Sequence, residues 1–177
     1  MAYIAVMSWR SAFARTPRTA AAIVFAGSAA TLGGAFAFQY LGGLAPCELC
    51  LMQRWPYAAA IAAALLAFAP MHGAAAQRAL LGVAGVAFVI GVGLAGWHVG
   101  VEQHWIAGPD ACSGGPQGAA TIEELRRQLM AQEVVRCDEV PWSLFGISLA
   151  GFNFLISAAL AVFSLSAALS ARRGAAA

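Results

Sequence analysis

The sequence predicts an all-α integral membrane protein: a bundle of four transmembrane helices with a short amphipathic helix in its second outer loop. Three observations carry that prediction. Of 177 residues, 61% are hydrophobic and only 10% charged, and the mean hydropathy is +0.74. A soluble domain of this size cannot hide so much apolar surface. Four apolar stretches reach the roughly 20 residues that a helix needs to cross a hydrocarbon core about 30 Å thick. The charges between these stretches are sorted by side.

The expected spans are about 19–41, 50–69, 79–101 and 144–170, in one integral-membrane domain covering 1–177. The first follows Arg10, Arg15 and Arg18. Its apolar run exceeds the roughly 7–15 residues of a signal-peptide core, so it reads as a retained anchor. The second is the shortest. From Pro56 to Ala69 it has 14 residues, and it spans only if its helix begins near Cys50, which sets that sulfur at the membrane interface. Pro56 inside this span implies a kink or an irregular first turn. Gly82, Gly85, Gly96 and Gly100 in the third span, and Gly146 and Gly151 in the fourth, favour close helix contact. Asn153 reads as an interhelical hydrogen bond. His98 and His104, beside Trp97 and Trp105, read as residues of the interfacial belt.

Orientation follows from arginine, since the chain has ten arginines and no lysine. Arg10, Arg15, Arg18, Arg78, Arg172 and Arg173 fall on the side of the two termini, with no acid among them. The opposite side holds Arg54, Arg126, Arg127, Arg136 and all eight acidic residues. Positive residues favour the cytoplasm, so both termini are expected there and loops 42–49 and 102–143 outside. A net charge of +2 makes no case for nucleic acid as a partner.

The outer loops also hold all four cysteines, on the face where disulfides persist. Cys47 and Cys50 form a C-x-x-C. Closing so short a loop gains little stability, and such pairs are the usual redox arrangement at a helix start. Pro46 precedes the pair and the second span begins at about Cys50, so the helix's positive end faces the sulfur. Arg54, four residues after Cys50, shares its helix face. A cation so near hydrocarbon is either a snorkelling anchor or a functional group that stabilises a Cys50 thiolate or a bound anionic group. Gln53 is a further polar contact there. Haem attachment is excluded because Leu51 follows Cys50. A four-cysteine zinc site lacks a second close pair, so no metal is expected.

Cys112 and Cys137, if bridged, close a loop of about 26 residues, worth roughly 3–4 kcal/mol as a staple. They lie beside a Gly- and Pro-rich run, "GPDACSGGPQGAAT", where a disulfide is open to thiol exchange. Spacing alone leaves both uses standing. Between them "TIEELRRQLMAQ" has a capping box, Thr121 with Glu124, and an apolar face of Ile122, Leu125 and Leu129, and is expected as an amphipathic surface helix.

"PCELCLMQRWPY" at 46–57, Cys112 and Cys137, and "CDEVPWSLFGISLAGFN" at 137–153 together resemble the DsbB family of bacterial inner-membrane disulfide-bond formation proteins. The resemblance covers nearly the whole chain. It implies a quinone-dependent protein thiol oxidase with redox-active disulfides Cys47–Cys50 and Cys112–Cys137 facing the periplasm. Cys112 would be attacked by a reduced, periplasmic DsbA-like thioredoxin-fold oxidase. Cys137 would pass the electrons to Cys47, and Cys50 with Arg54 would meet ubiquinone or menaquinone from the respiratory pool. Two alternatives are a four-span structural protein with two extracytoplasmic disulfides, and an enzyme of the vitamin K epoxide reductase type. The second places its quinone-proximal C-x-x-C late in the chain, whereas here it opens the second span.

Overall fold

A computed structural model describes residues 16–69, 72–109, 121–123, 126 and 135–170. Its elements are α1 (Pro17–Tyr40), α2 (Glu48–Met52), α3 (Arg54–Phe68), α4 (Ala74–Glu102), β1 (Ser143–Leu144), β2 (Ile147–Ser148) and α5 (Leu149–Leu169). With α2 and α3 taken together, four helices are long and apolar enough to cross a membrane. Cys112, Glu124, Leu125 and most of the expected surface helix lie outside the described residues, although Ile122, Glu123 and Arg126 are helical.

Local chemistry sets the boundaries. Thr16 caps α1 by accepting from the Thr19 amide, the Thr19 hydroxyl answers in a reciprocal box, and Pro17 opens the first turn. Proline suits that position because its missing N–H has no intrahelical partner to lose. The second span breaks where the sequence predicts an irregular turn. α2 ends at Met52 and α3 begins at Arg54, with Gln53 between them. Pro56 lacks the N–H that would have bonded the Met52 carbonyl, so the ladder cannot run through.

The last helix starts at Leu149, five residues later than the sequence pattern implied. The preceding residues form an antiparallel hairpin pairing Ser143 with Ser148 and Leu144 with Ile147. Its two loop residues, Phe145 at φ 53° and Gly146 at φ 78°, both take the left-handed conformation, as a type I′ turn requires. Gly146 therefore serves the turn rather than helix packing. No heavy atom lies within 4 Å of where its Cβ would stand. Ser148 then caps α5, accepting from the Gly151 amide at 3.0 Å.

The core is built from small side chains. Ala20, Ala21, Ala60, Ala63, Ala64, Ala67, Ala84 and Ala161 pack around Val24, Tyr57, Leu81 and Phe88. Small residues let helix backbones approach closely, the main source of cohesion where lipid removes the hydrophobic drive between helices. Large apolar residues point outward instead, among them Leu65, Leu66, Val83, Val86, Ile90, Leu155 and Val162. In water such a surface would aggregate, and in a bilayer it is the surface lipid wets.

Helix α4 lies centrally, packed chiefly on α5 and α3. At Gly85 a Cβ would stand 2.6 Å from Leu165 Cδ2 and 3.2 Å from the Leu165 backbone nitrogen. Gly85→Val forces α4 and α5 apart and should destabilise the bundle by about 1–3 kcal/mol. Thermal unfolding in detergent measures this, and an unchanged midpoint would refute the close packing.

Candidate redox site at one end of the bundle

Cys47 is the N-cap of α2, with its sulfur accepting from the Cys50 amide at 3.3 Å. A cap side chain folds back over the first turn, which brings residues 47 and 50 together. Their sulfurs are 2.8 Å apart and unbonded, with the Cys47 thiol donating to Cys50. The arrangement differs from the expected one in that the helix begins at Glu48, two residues before Cys50, with Cys47 as its cap. The Cys47 thiol is held well above the ordinary thiol range, first by donating to Cys50 and then by burial. In the reduced pair Cys47 keeps its proton and Cys50 carries the acceptor sulfur.

Cys137 is fully buried and disulfide-bonded. It packs in one apolar cluster with Cys47, Leu49 and Val101, against which Trp97 and Val135 lean. Two cysteines 90 positions apart in sequence thus share one small core. Next to Cys137 the exposed Arg136 guanidinium forks onto Asp138, at 3.0 and 2.6 Å. That contact holds the Asp138 carboxyl below its usual range.

A buried polar chain runs inward from the thiols. His98 Nε2 faces Cys47 Sγ at 3.6 Å and its Nδ1 meets Gln53 Nε2 at 2.8 Å. The Gln53 carbonyl accepts from Asn153. Asn153 Oδ1 accepts from the Tyr57 hydroxyl at 2.5 Å, and that hydroxyl also meets Ser157 Oγ at 2.8 Å. The chain links the α2–α3 junction, α3, α4 and α5. His98 is 4% exposed, so it is not a belt residue as the sequence implied. His104 does lie at the surface, in the turn after α4.

Arg54 does not reach Cys50 by a hydrogen bond in the structure. Its guanidinium carbon sits 4.8 Å over the Phe36 ring of α1. Its Nε is buried without a hydrogen-bond partner among the described residues. Cys50, Arg54, Gln53 and His98 nevertheless line one cavity of about 430 Å³ between α1 and α5, walled mainly by apolar side chains such as Phe38 and Ile156. The ring of Phe38, one of the lining residues, meets Trp142 with ring centres 5.2 Å apart.

Residues 17–167 match the family described as Disulfide bond formation protein DsbB. The chain belongs to the DsbB family. It is similar to Disulfide bond formation protein B of Verminephrobacter eiseniae, 30% identical over 172 residues, which cover 91% of each chain. The protein of the same name from Acinetobacter baumannii is 34% identical over 131 residues, 68% of this chain and 74% of the relative. That of Aromatoleum aromaticum is 28% identical over 149 residues, 80% and 86%. No solved structure matches. Membership and the four apolar helices make this a multi-pass membrane protein of disulfide bond formation.

Within this DsbB-family bundle, the structure gathers Cys47, Cys50, Cys137 and Arg54 at one end. His98, Tyr57 and Asn153 are polar groups at the site that sequence reasoning did not place there. A signal for His98 existed. Leu81, Ala84, Phe88, Gly91, Ala95, His98 and Val101 recur at three- and four-residue steps and form the buried stripe of α4, so the imidazole faces inward with them.

Cys47 binds its proton more tightly in the folded protein than in the unfolded chain. The stability this contributes to the reduced protein is present below the ordinary thiol pKa of 9.0 and is lost as pH rises above it. At pH 7 iodoacetamide should therefore label Cys50 well before Cys47 in reduced protein, with Cys47 labelled only in strongly alkaline buffer. Peptide mass spectrometry reads the order, and equal labelling at neutral pH would contradict it.

Proposed function

We propose that this chain is a quinone-dependent protein thiol oxidase of the bacterial inner membrane, with its cysteine-bearing end in the periplasm and both termini in the cytoplasm. Its substrate is a reduced DsbA-like thioredoxin-fold oxidase. A thiolate of that partner attacks Cys112, and the Cys112–Cys137 bond breaks with Cys137 leaving as a thiolate. The partner's second thiol resolves its mixed disulfide with Cys112, so the partner departs oxidised. Cys137 attacks Cys47, and the electron pair of the Cys47–Cys50 bond leaves on Cys50. Cys112 then attacks Cys137, which restores the Cys112–Cys137 disulfide and leaves Cys47 and Cys50 as a dithiol. Ubiquinone or menaquinone in the cavity supplies the acceptor for two electrons and two protons, which returns the Cys47–Cys50 disulfide.

The observation that carries this reading is the cavity. Cys50 and the half-buried Arg54, whose Nε is buried without a partner among the described residues, line a largely apolar space between two lipid-facing helices. That is the chemistry required to hold an apolar ring bearing carbonyl oxygens: hydrocarbon walls, with one charged donor where negative charge develops. Burying a guanidinium donor without a partner is costly, and a ligand carbonyl at Arg54 removes that cost. The packing of Cys137 beside Cys47 supports Cys47 as the sulfur attacked, since disulfide exchange requires the incoming thiolate to reach its target. The Cys47 cap geometry supports Cys50 as the leaving group beside the cavity.

The test uses purified protein, a reduced DsbA-like partner and ubiquinone, followed by loss of the quinone's ultraviolet absorbance. Cys50→Ala should abolish consumption. Arg54→Ala should raise KM for quinone by on the order of tenfold, the loss of about one charge-assisted hydrogen bond. Cys112→Ala should lose partner oxidation while Cys47 and Cys50 still exchange electrons with quinone. Normal turnover by Cys112→Ala would break the proposed route.

A further inference from the structure

We propose that the reduced Cys47–Cys50 pair and His98 form a three-ligand site for a thiophilic divalent cation of the Zn²⁺ class, which holds the pair as a dithiolate and withdraws it from disulfide exchange. The ligand atoms of the three residues all lie within 4.8 Å of one another. Two cysteines and one histidine are an established zinc donor set, leaving a fourth position open.

The distances fit a tetrahedral centre closely at one edge and after a small movement at another. Zinc–sulfur bonds of about 2.3 Å and zinc–nitrogen bonds of about 2.0–2.1 Å place sulfur and nitrogen ~3.5 Å apart and two sulfurs ~3.8 Å apart. Cys47 Sγ and His98 Nε2 already stand at 3.6 Å. The sulfurs, at 2.8 Å, must separate by about 1 Å. Cys50 has room to do so, because it and His98 border the cavity, which also supplies the open fourth position. Two thiolates and a neutral imidazole around a divalent cation sum to zero charge. A neutral cluster suits a buried bundle end and is not repelled by Arg54 across the cavity.

The bland account of His98 is a core histidine satisfied by its neighbour. Gln53 satisfies only Nδ1, however, while Nε2 faces sulfur alone. A metal-bound imidazole needs its other nitrogen to donate to an acceptor, which fixes the tautomer. The polar chain allows this. If the Gln53 carboxamide presents its oxygen to His98, its nitrogen donates to the Asn153 oxygen. Asn153 then donates to the Tyr57 hydroxyl, which donates onward to Ser157. The chain runs equally well in either direction because each amide carries both a donor and an acceptor and the hydroxyl can rotate. The same residues thus support a thiol-facing His98 with Nε2–H and a metal-facing His98 with a free Nε2 lone pair.

Binding is gated by oxidation state. Cys47–SH and Cys50–SH lose two protons to solvent as two metal–sulfur bonds form, and no electron moves. The disulfide form has no thiolates to offer. The site therefore exists only after the pair has been reduced and before it is reoxidised, so metal competes with the electron acceptor for the same state.

The test uses full-length protein carrying Cys112→Ser and Cys137→Ser, so that only Cys47 and Cys50 can supply sulfur, anaerobic and free of quinone. Cd²⁺ is titrated while the thiolate-to-metal charge-transfer absorbance is followed, and Zn²⁺ competes for the site. One equivalent should bind the reduced protein and none the oxidised. His98→Gln should weaken binding at least tenfold, and Gln53→Leu, which removes the support of Nδ1, should weaken it roughly 10–100-fold. Unchanged affinity in both variants would overturn the proposal, leaving capture by two thiolates alone. Absence of binding to the reduced protein would also overturn it, with thermal unfolding used to confirm that each variant is folded. No quinone enters the assay, so its failure leaves the oxidase reading untouched.

Discussion

The buried chain of hydrogen bonds from His98 through Gln53 and Asn153 to Tyr57 is the constraint on which the cysteine end of this bundle depends. Polar side chains set among apolar helices cost several kcal/mol each if left unpaired. Here each finds its partner on a different element, one from the α2–α3 junction and the others from α3, α4 and α5. The chain therefore fixes the register of three helices against one another at the level of the thiols. It holds His98 against Cys47, at 3.6 Å, where α2 packs on α4. Small residues in the core permit the approach, since Gly91 brings α4 to within van der Waals distance of Pro56 and Ser157.

The break at Gln53 is the second requirement. An unbroken helix from Glu48 would direct Gln53 by helical register alone. Before the interruption, the short α2 has Cys47 as its cap and Leu49 buried beneath. The same break leaves Arg54 at the start of α3, turned over Phe36 rather than toward Cys50. Sulfur and guanidinium then line one cavity as separate groups. A ligand lying between them can meet both, whereas a direct ion pair would have satisfied the arginine and closed the space.

Arg54 shows how far helical spacing carries and where it stops. A separation of four residues put Cys50 and Arg54 on one helix face, whereas in the structure they fall on two successive helices and both border the same cavity. It did not foretell that Arg54 would lie on an aromatic ring of α1, since that contact depends on a helix distant in sequence. Gly146 is a similar case: counted as a packing glycine, it proved to be half of a hairpin turn, because the Ser-Leu-Phe-Gly-Ile-Ser stretch is too short and too apolar to differ in periodicity from the helix that follows.

By itself the sequence determined the class of fold, because hydrophobic length and arginine placement are local properties that a bilayer reads one segment at a time. It likewise placed Cys47 and Cys50 together, since a C-x-x-C at a helix start needs only its own turn to bring its sulfurs close. Only the tertiary structure decided that Cys137 shares a core with Cys47, that His98 faces the thiols, and that Gln53, Asn153 and Tyr57 complete one chain. Those pairings join residues 45 to 100 positions apart, and nothing local distinguishes a polar residue that will be satisfied across helices from one that will meet the headgroups. Packing settles the matter, because a buried donor is tolerated only where another helix brings it an acceptor.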